Sequence, residues 1–422
     1  MPPKRKSAGR PPKSQVAVNG AATKKVKVNH PSHCTEPGVV LTVGEGDVGQ
    51  LGHGDEMLQR MKPRVVADLP MCISVVAGGM HTVCLTTDGE VYTFGCNDEG
   101  ALGRPITDED TEPFSPGKVP LADKIIQISA GDSHTAALTD EGKVFLWGTF
   151  RDGTGAFGLT SYGQTSKQPL HIRLEAPVIQ IASGDDHLCM LTIDGDLLTM
   201  GCGEQGQLGR VAEIHAVRGG RKGPAILLEP SRVHCKRIRG RGKPLFDGVW
   251  CSSYCTFART RDGDIYAWGL NNYHHIGLTN REPHYMPNAI ESFSNIKVDS
   301  VAGGQHHTVL LDTEGKVYSL GRVDYGRLGL GEQTKESNVP ALITDLADKH
   351  VTSIGCGTSV SLACTKQGEA YAWGMGSSFQ LGTGDEDDAD TPVLMEGKQL
   401  QNRRVIYVGA GGQHTVLLAV DK

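Results

Sequence analysis

This chain is poor in aromatics and has no long apolar run. Only 5% of its 422 residues are Phe, Trp or Tyr. No apolar stretch reaches 18 residues and no signal-peptide core is present, which predicts neither a membrane span nor secretion. The eleven cysteines are scattered and odd in number, with no CxxC pair and no His/Cys ladder. That pattern argues for a reducing compartment, against a disulfide framework and against a structural zinc site. HExxH, GxSxG and Walker motifs are missing, and no stretch of 39–422 sustains a 3.6-residue apolar period. Residues 1–33 hold no Asp or Glu at all.

What is present is a repeat. Ala77–Gly103 (AGGMHTVCLTTDGEVYTFGCNDEGALG) returns at Ala130–Gly158, Ala182–Gly209, Cys251–Gly277, Ala302–Gly329 and Cys356–Gly382. One turn glycine tracks the period through Gly89, Gly142, Gly195, Gly263, Gly315 and Gly368, in steps of 53, 53, 68, 52 and 53 residues. Within each unit the pattern has period two, and Asp-Gly or Glu-Gly pairs join the strands as hairpin turns. Each unit therefore reads as a small antiparallel sheet that must stack on its neighbours. The seventh copy is split: Ala410–Lys422 carries its first half and Val39–Gly52 its second. A solenoid would need capping repeats at its ends. Here the ends complete one another, which predicts an all-β, seven-bladed β-propeller over 34–422, closed by pairing of N- and C-terminal strands.

Residues 1–33 are different material. They carry eight Lys/Arg, among them Lys4, Arg5 and Lys6, and are expected to form a disordered basic tail. Without them the body has 34 basic residues against 48 acidic, near −14. A basic tail on an acidic ring suits a nuclear import receptor or nucleic acid.

Three features stand out from the repeat. First, the segment before the closing Leu-Gly spans eight steps in most units but ten at Gly148–Gly158 (GTFRDGTGAFG), which predicts a protruding hairpin bearing Phe150, Arg151 and Asp152. Second, a histidine recurs in five units (His81, His134, His187, His307, His414) and reads first as a core residue, whereas the residues just before it vary. Like-placed loops share one annular face, so Asp132, Asp186 and His306 should gather there, with Asp47 and His274 from the loops after the third strand. Third, the 68-residue step contains a basic insertion: Arg218-Gly-Gly-Arg221-Lys222, then Lys236, Arg237, Arg239, Arg241 and Lys243. Arginines on flexible backbone suit carboxylate or phosphate, and KRIRGRGK reads as a DNA-backbone loop.

The runs GGMHTVCL, FGCNDEGALGR, SAGDSHTAALTD, GCGEQGQLGR, GGQHHTV and GGQHTVLL resemble the regulators of chromosome condensation, chromatin-bound guanine nucleotide exchange factors for the GTPase Ran. The likeness spans about the whole chain, tail included. It implies a nuclear, chromatin-held exchange factor that makes or breaks no bonds of its own and needs no cofactor or metal. It places a wedge at 148–158 and GTPase-facing residues at Asp47, His81, Asp132, Asp186, His274, His306 and His414. It directs Arg218 and Arg221 to the acidic patch of the histone dimer in the nucleosome. Lys236, Arg237, Arg239, Arg241, Lys243 and the tail go to the DNA phosphate backbone, the tail also to an import receptor. The expected layout has the GTPase and chromatin on opposite rims. A chromatin-binding propeller without exchange activity is the alternative, and a propeller enzyme with a central-channel site a third reading.

Overall fold

A computed structural model of the protein describes residues 36–108, 111–235, 242–332 and 334–422. Seven four-stranded antiparallel sheets and one two-stranded hairpin account for its strands. The first blade comprises Cys72–Ala77, His81–Thr86, Val91–Gly95 and Gly117–Lys118. Five more follow in chain order. The seventh joins Arg403–Ala410 and His414–Asp421 to Val39–Glu45 and Gln59–Val65. Val39 to Gly44 pair with Ala419 to His414 in unbroken antiparallel register, so the ring closes as the split repeat requires. Among the described residues the only α-helix is Ala225–Leu228, and no helix there is long and apolar enough to cross a membrane.

The first strand of each blade lines a central channel of about 750 Å³. The apolar core is divided into seven clusters, one per blade interface. Between the first two blades, Val83, Leu85 and Val91 pack on Ile125, Ile128 and Trp147. Trp147, Trp268 and Trp373 are fully buried and donate their indole N–H to the carbonyls of Ala101, Gln207 and Arg327 in the preceding blade. The Leu-Gly ending of the repeat follows from this. Gly103 sits at φ +66° with Trp147 so close that a Cβ would meet its indole nitrogen at 2.4 Å. Only glycine fits both demands.

The recurring His-Thr pair is also structural. His81 Nε2 lies 2.9 Å from Thr135 Oγ1 of the next blade, and that hydroxyl donates to Ala101 O at 2.8 Å. A hydroxyl has one hydrogen to give, so His81 must donate to it from Nε2. The same relay runs from His414 through Thr82, from His187 through Thr256 and from His307 through Ser361. It fails once. Leu188 stands where His134 needs a hydroxyl, and His134 Nε2 has no hydrogen-bond partner among the described residues. His134 instead meets the ring of Phe150 edge-on, centroids 4.7 Å apart.

Candidate partner-binding face

Blade topology decides which residues can meet. In an antiparallel meander the first-to-second and third-to-fourth connections emerge at one end. Backbone bonds confirm it: Cys96 N–H donates to Met80 O, Thr149 to Ser133 O and Cys202 to Asp186 O. At the other end the entry strand of five blades bonds the second-to-third turn of the blade before it, as Phe246 N–H does to Gly195 O. Asp47, Asp132, Asp186, His274, His306 and the 148–158 hairpin all belong to the first end. Neighbouring loops there are tied by Gly412 N–H to Gly79 O, Gly79 to Gly131 O, Asp132 to Asp185 O and Asp185 to Ser253 O, a backbone collar around a mouth of about 500 Å³.

Asp47 and Asp132 are exposed, and Asp186, His274 and His306 are partly so. His81 and His414 are not: they are 1% and 0% exposed and spend their Nε2 on the inter-blade relay. The expectation that they face a partner is therefore corrected, since burial drops their pKa values to about 4 and about 3 and leaves them neutral. Asp132, Asp185 and Asp186, from adjacent blades, form an acidic corner at the mouth. Burial, then mutual repulsion, raises Asp185 to about 7 and Asp186 to about 8. Asp185 lines the mouth and keeps part of its surface open.

The hairpin stands beside this corner. Phe150–Asp152 and Gly155–Gly158 pair antiparallel around a Gly153-Thr154 tip. Asp186 Oδ1 accepts the Arg151 N–H at 2.6 Å, and Glu204 Oε2 accepts the Gly153 N–H at 3.1 Å. Arg151 Nη1 donates to Glu99 at 3.2 Å. Phe150, expected as an interface aromatic, is fully buried in the core cluster under the hairpin, with Phe157 beside it. Asp152 is also covered, its side chain 3% exposed. The presented surface is Arg151, Gly153, Thr154 and Ala156.

Across the mouth, His306 lies 4.9 Å from Tyr273, over which the Arg322 guanidinium sits at 5.0 Å. Burial and the Arg322 and Arg327 charges lower His306 to about 4, so it is neutral at pH 7. His274 has φ +60°. Arg281 donates to its Nε2, so the ring carries its hydrogen on Nδ1 and donates to Leu278 O at 3.0 Å. Glu99, Glu204, Tyr273, Arg322 and exposed Tyr325 were missed in the sequence, although all five lie in the same third-to-fourth connections as Asp47 and His274.

The basic insertion is divided between the two ends, which overturns the expected layout of opposite rims. Arg218 and Arg221 lie on a third-to-fourth connection, at the hairpin end, and Arg218 bonds the hairpin itself through Asp152 at 2.7 Å. Arg221 and Lys222 are exposed. Lys243 lies on a blade-to-blade connection at the other end, where it and Arg232 share the Asp196 carboxylate. Lys4, Arg5, Lys6, Lys236, Arg237, Arg239 and Arg241 lie outside the described residues.

The RCC1-like domain model matches residues 39–417. The chain is 53% identical over 424 residues to the human regulator of chromosome condensation, covering 100% of this chain and 99% of that protein. It is 29% identical to the guanine nucleotide exchange factor SRM1 of Saccharomyces cerevisiae, covering 96% and 95%. Among solved structures it resembles Prp20p of Saccharomyces cerevisiae, reported with its binding properties to Gsp1p and histones, at 28% identity, TM-score 0.83 and coverage of 93% and 94%. It also resembles yeast RCC1 (Prp20) as bound by Kap60, at 26% identity, TM-score 0.85 and coverage of 99% and 97%. Propeller closure, repeat chemistry and near-complete coverage agree: this chain belongs to the regulator of chromosome condensation family.

Proposed function

We propose that this protein is a guanine nucleotide exchange factor for a Ran-type GTPase, held at chromatin in the nucleus. The observation that carries the reading is the acidic corner of Asp132, Asp185 and Asp186 set against a protruding, pinned hairpin on one face, in a chain so similar to a regulator of chromosome condensation. Asp47, Asp132, Arg151, Asp186, His274 and His306 would meet the GTPase, and the tip at 153–156 would enter its nucleotide site. The action is thermodynamic coupling. A GTPase that holds nucleotide at picomolar strength, about −16 kcal/mol, releases it too slowly for signalling. A partner that prefers the nucleotide-free form weakens nucleotide binding by the same factor. No covalent step is required of the propeller.

Arg221 and Lys222 are the exposed cations proposed to meet the histone acidic patch. Lys236, Arg237, Arg239, Arg241 and the tail cations Lys4, Arg5 and Lys6 are proposed to meet DNA phosphate without base readout. Prp20p's histone and Gsp1p binding and its complex with Kap60 support histone, GTPase and import-receptor partners. The test is release of fluorescent GDP from Ran. The wild-type chain should accelerate it by orders of magnitude, and Asp186→Ala should cut the acceleration at least tenfold. No acceleration by the wild type would leave a chromatin-binding propeller without exchange activity.

A further inference from the structure

Arg218 is placed unlike the other cations of its loop. Its backbone is left-handed, φ +50°, between two 3₁₀ turns, a conformation unusual for a residue with a Cβ. The side chain turns onto the hairpin of the preceding blade. Nε donates to Asp152 Oδ2 at 2.7 Å and Nη2 to Asp152 Oδ1 at 3.3 Å. Nη2 also reaches the Thr154 hydroxyl at the tip, and Nη1 donates to Tyr162 Oη at 2.8 Å. The guanidinium lies 5.3 Å from the centre of the Tyr162 ring, which packs edge-on against Phe157 of the returning strand. One side chain thus touches the outgoing arm, the tip and the exit of the hairpin.

Asp152 is committed to the same purpose. Its Oδ1 accepts the Thr154 N–H at 2.9 Å and the Thr154 hydroxyl at 2.7 Å, closing the tip. Burial raises its pKa, but the hydrogen bonds from Arg218 and Thr154 outweigh that and hold the carboxyl below its usual range. By contrast the side chains of Arg221 and Lys222, three and four residues on, make no hydrogen bond or ion pair among the described residues.

We propose that Arg218 is a positioning residue for the hairpin, clasping Asp152, Thr154 and Tyr162 so that the tip meets the partner at a fixed height and angle. This rests on the exchange reading, in which the hairpin disturbs bound nucleotide. A planar fork that satisfies three acceptors and stacks on a ring is a task lysine cannot take over.

The experiment pairs two readouts on the full chain with Arg218→Ala, Arg218→Lys and Asp152→Ala, and with the Arg218→Ala/Asp152→Ala double variant. One is GDP release from Ran as a function of exchange-factor concentration. The other is amide hydrogen exchange of residues 150–158 in the free protein. The clasp predicts faster amide exchange confined to the hairpin, a roughly tenfold loss in maximal release rate with little change in half-saturation, and poor rescue by lysine. It also predicts that the double variant loses less than the sum of the two single changes. Unchanged hairpin protection overturns the proposal, as does unchanged release of GDP by Arg218→Ala. If the wild type itself gives no acceleration, the exchange reading fails, and the clasp is then decided by the amide readout alone.

Discussion

At the scale of single residues, the relay between histidine and hydroxyl is the most portable result. Thr135→Val keeps the side-chain shape but leaves His81 Nε2–H without an acceptor and removes a donor from Ala101 O. A loss of about 1–3 kcal/mol is expected, read from the denaturant midpoint. The acidic corner gives a pH prediction. Asp186 is raised to about 8, so its charged fraction grows as pH rises through neutrality. The bimolecular rate of stimulated GDP release should climb between pH 6.5 and 8.5, and climb less in Asp186→Asn, where only Asp185 still titrates, after subtraction of intrinsic release. The repeat made the core histidines legible, because a residue that returns in five of seven blades serves the blade. It also made His81 and His414 ambiguous, since resemblance and burial pulled apart there. Arg218 was beyond reach: its partner Asp152 lies 66 residues away, and nothing local encodes the pairing.

At the scale of elements, the hairpin was recognisable from two extra residues, but its inward and outward sides were assigned by composition instead of by alternation. Period two sends Phe150 and Phe157 into the core and leaves the tip to small residues. The division of the basic insertion was likewise readable from the parity of connections in a meander, a signal present in the spacing. It carries a prediction. Arg221→Glu with Lys222→Glu should weaken nucleosome binding in a gel-shift titration. Loss of two phosphate-like contacts would shift the salt slope by roughly two; loss of carboxylate contacts should leave that slope near its wild-type value.

At the scale of the whole molecule, burial of histidine sets acid stability. His81, His134, His187, His275, His307 and His414 are buried, and burial lowers their pKa values to about 3 or 4. Unfolded, they titrate near 6.5. Between those limits the unfolded chain binds more protons, so stability is intact above about pH 6.5 and falls as pH drops toward 4. Each such histidine steepens the fall by about 1.4 kcal/mol per pH unit. Asp185 and Asp186, raised to about 7 and about 8, act oppositely in that window but are only two against six. Thermal melts should show the midpoint falling steeply below pH 6, with net proton uptake on unfolding near pH 5. Closure of the ring was legible because the two halves of one repeat stood at opposite ends of the chain, and local motifs were enough to match them. That closure has a consequence for biosynthesis. The strand His414–Asp421 lies between two others in the last blade, and its apolar residues cover clusters belonging to the first and sixth blades. Those surfaces stay uncovered until the strand His414–Asp421 has emerged from the ribosome. Until then the ring is an open horseshoe whose two unpaired flanks expose apolar surface to aggregation.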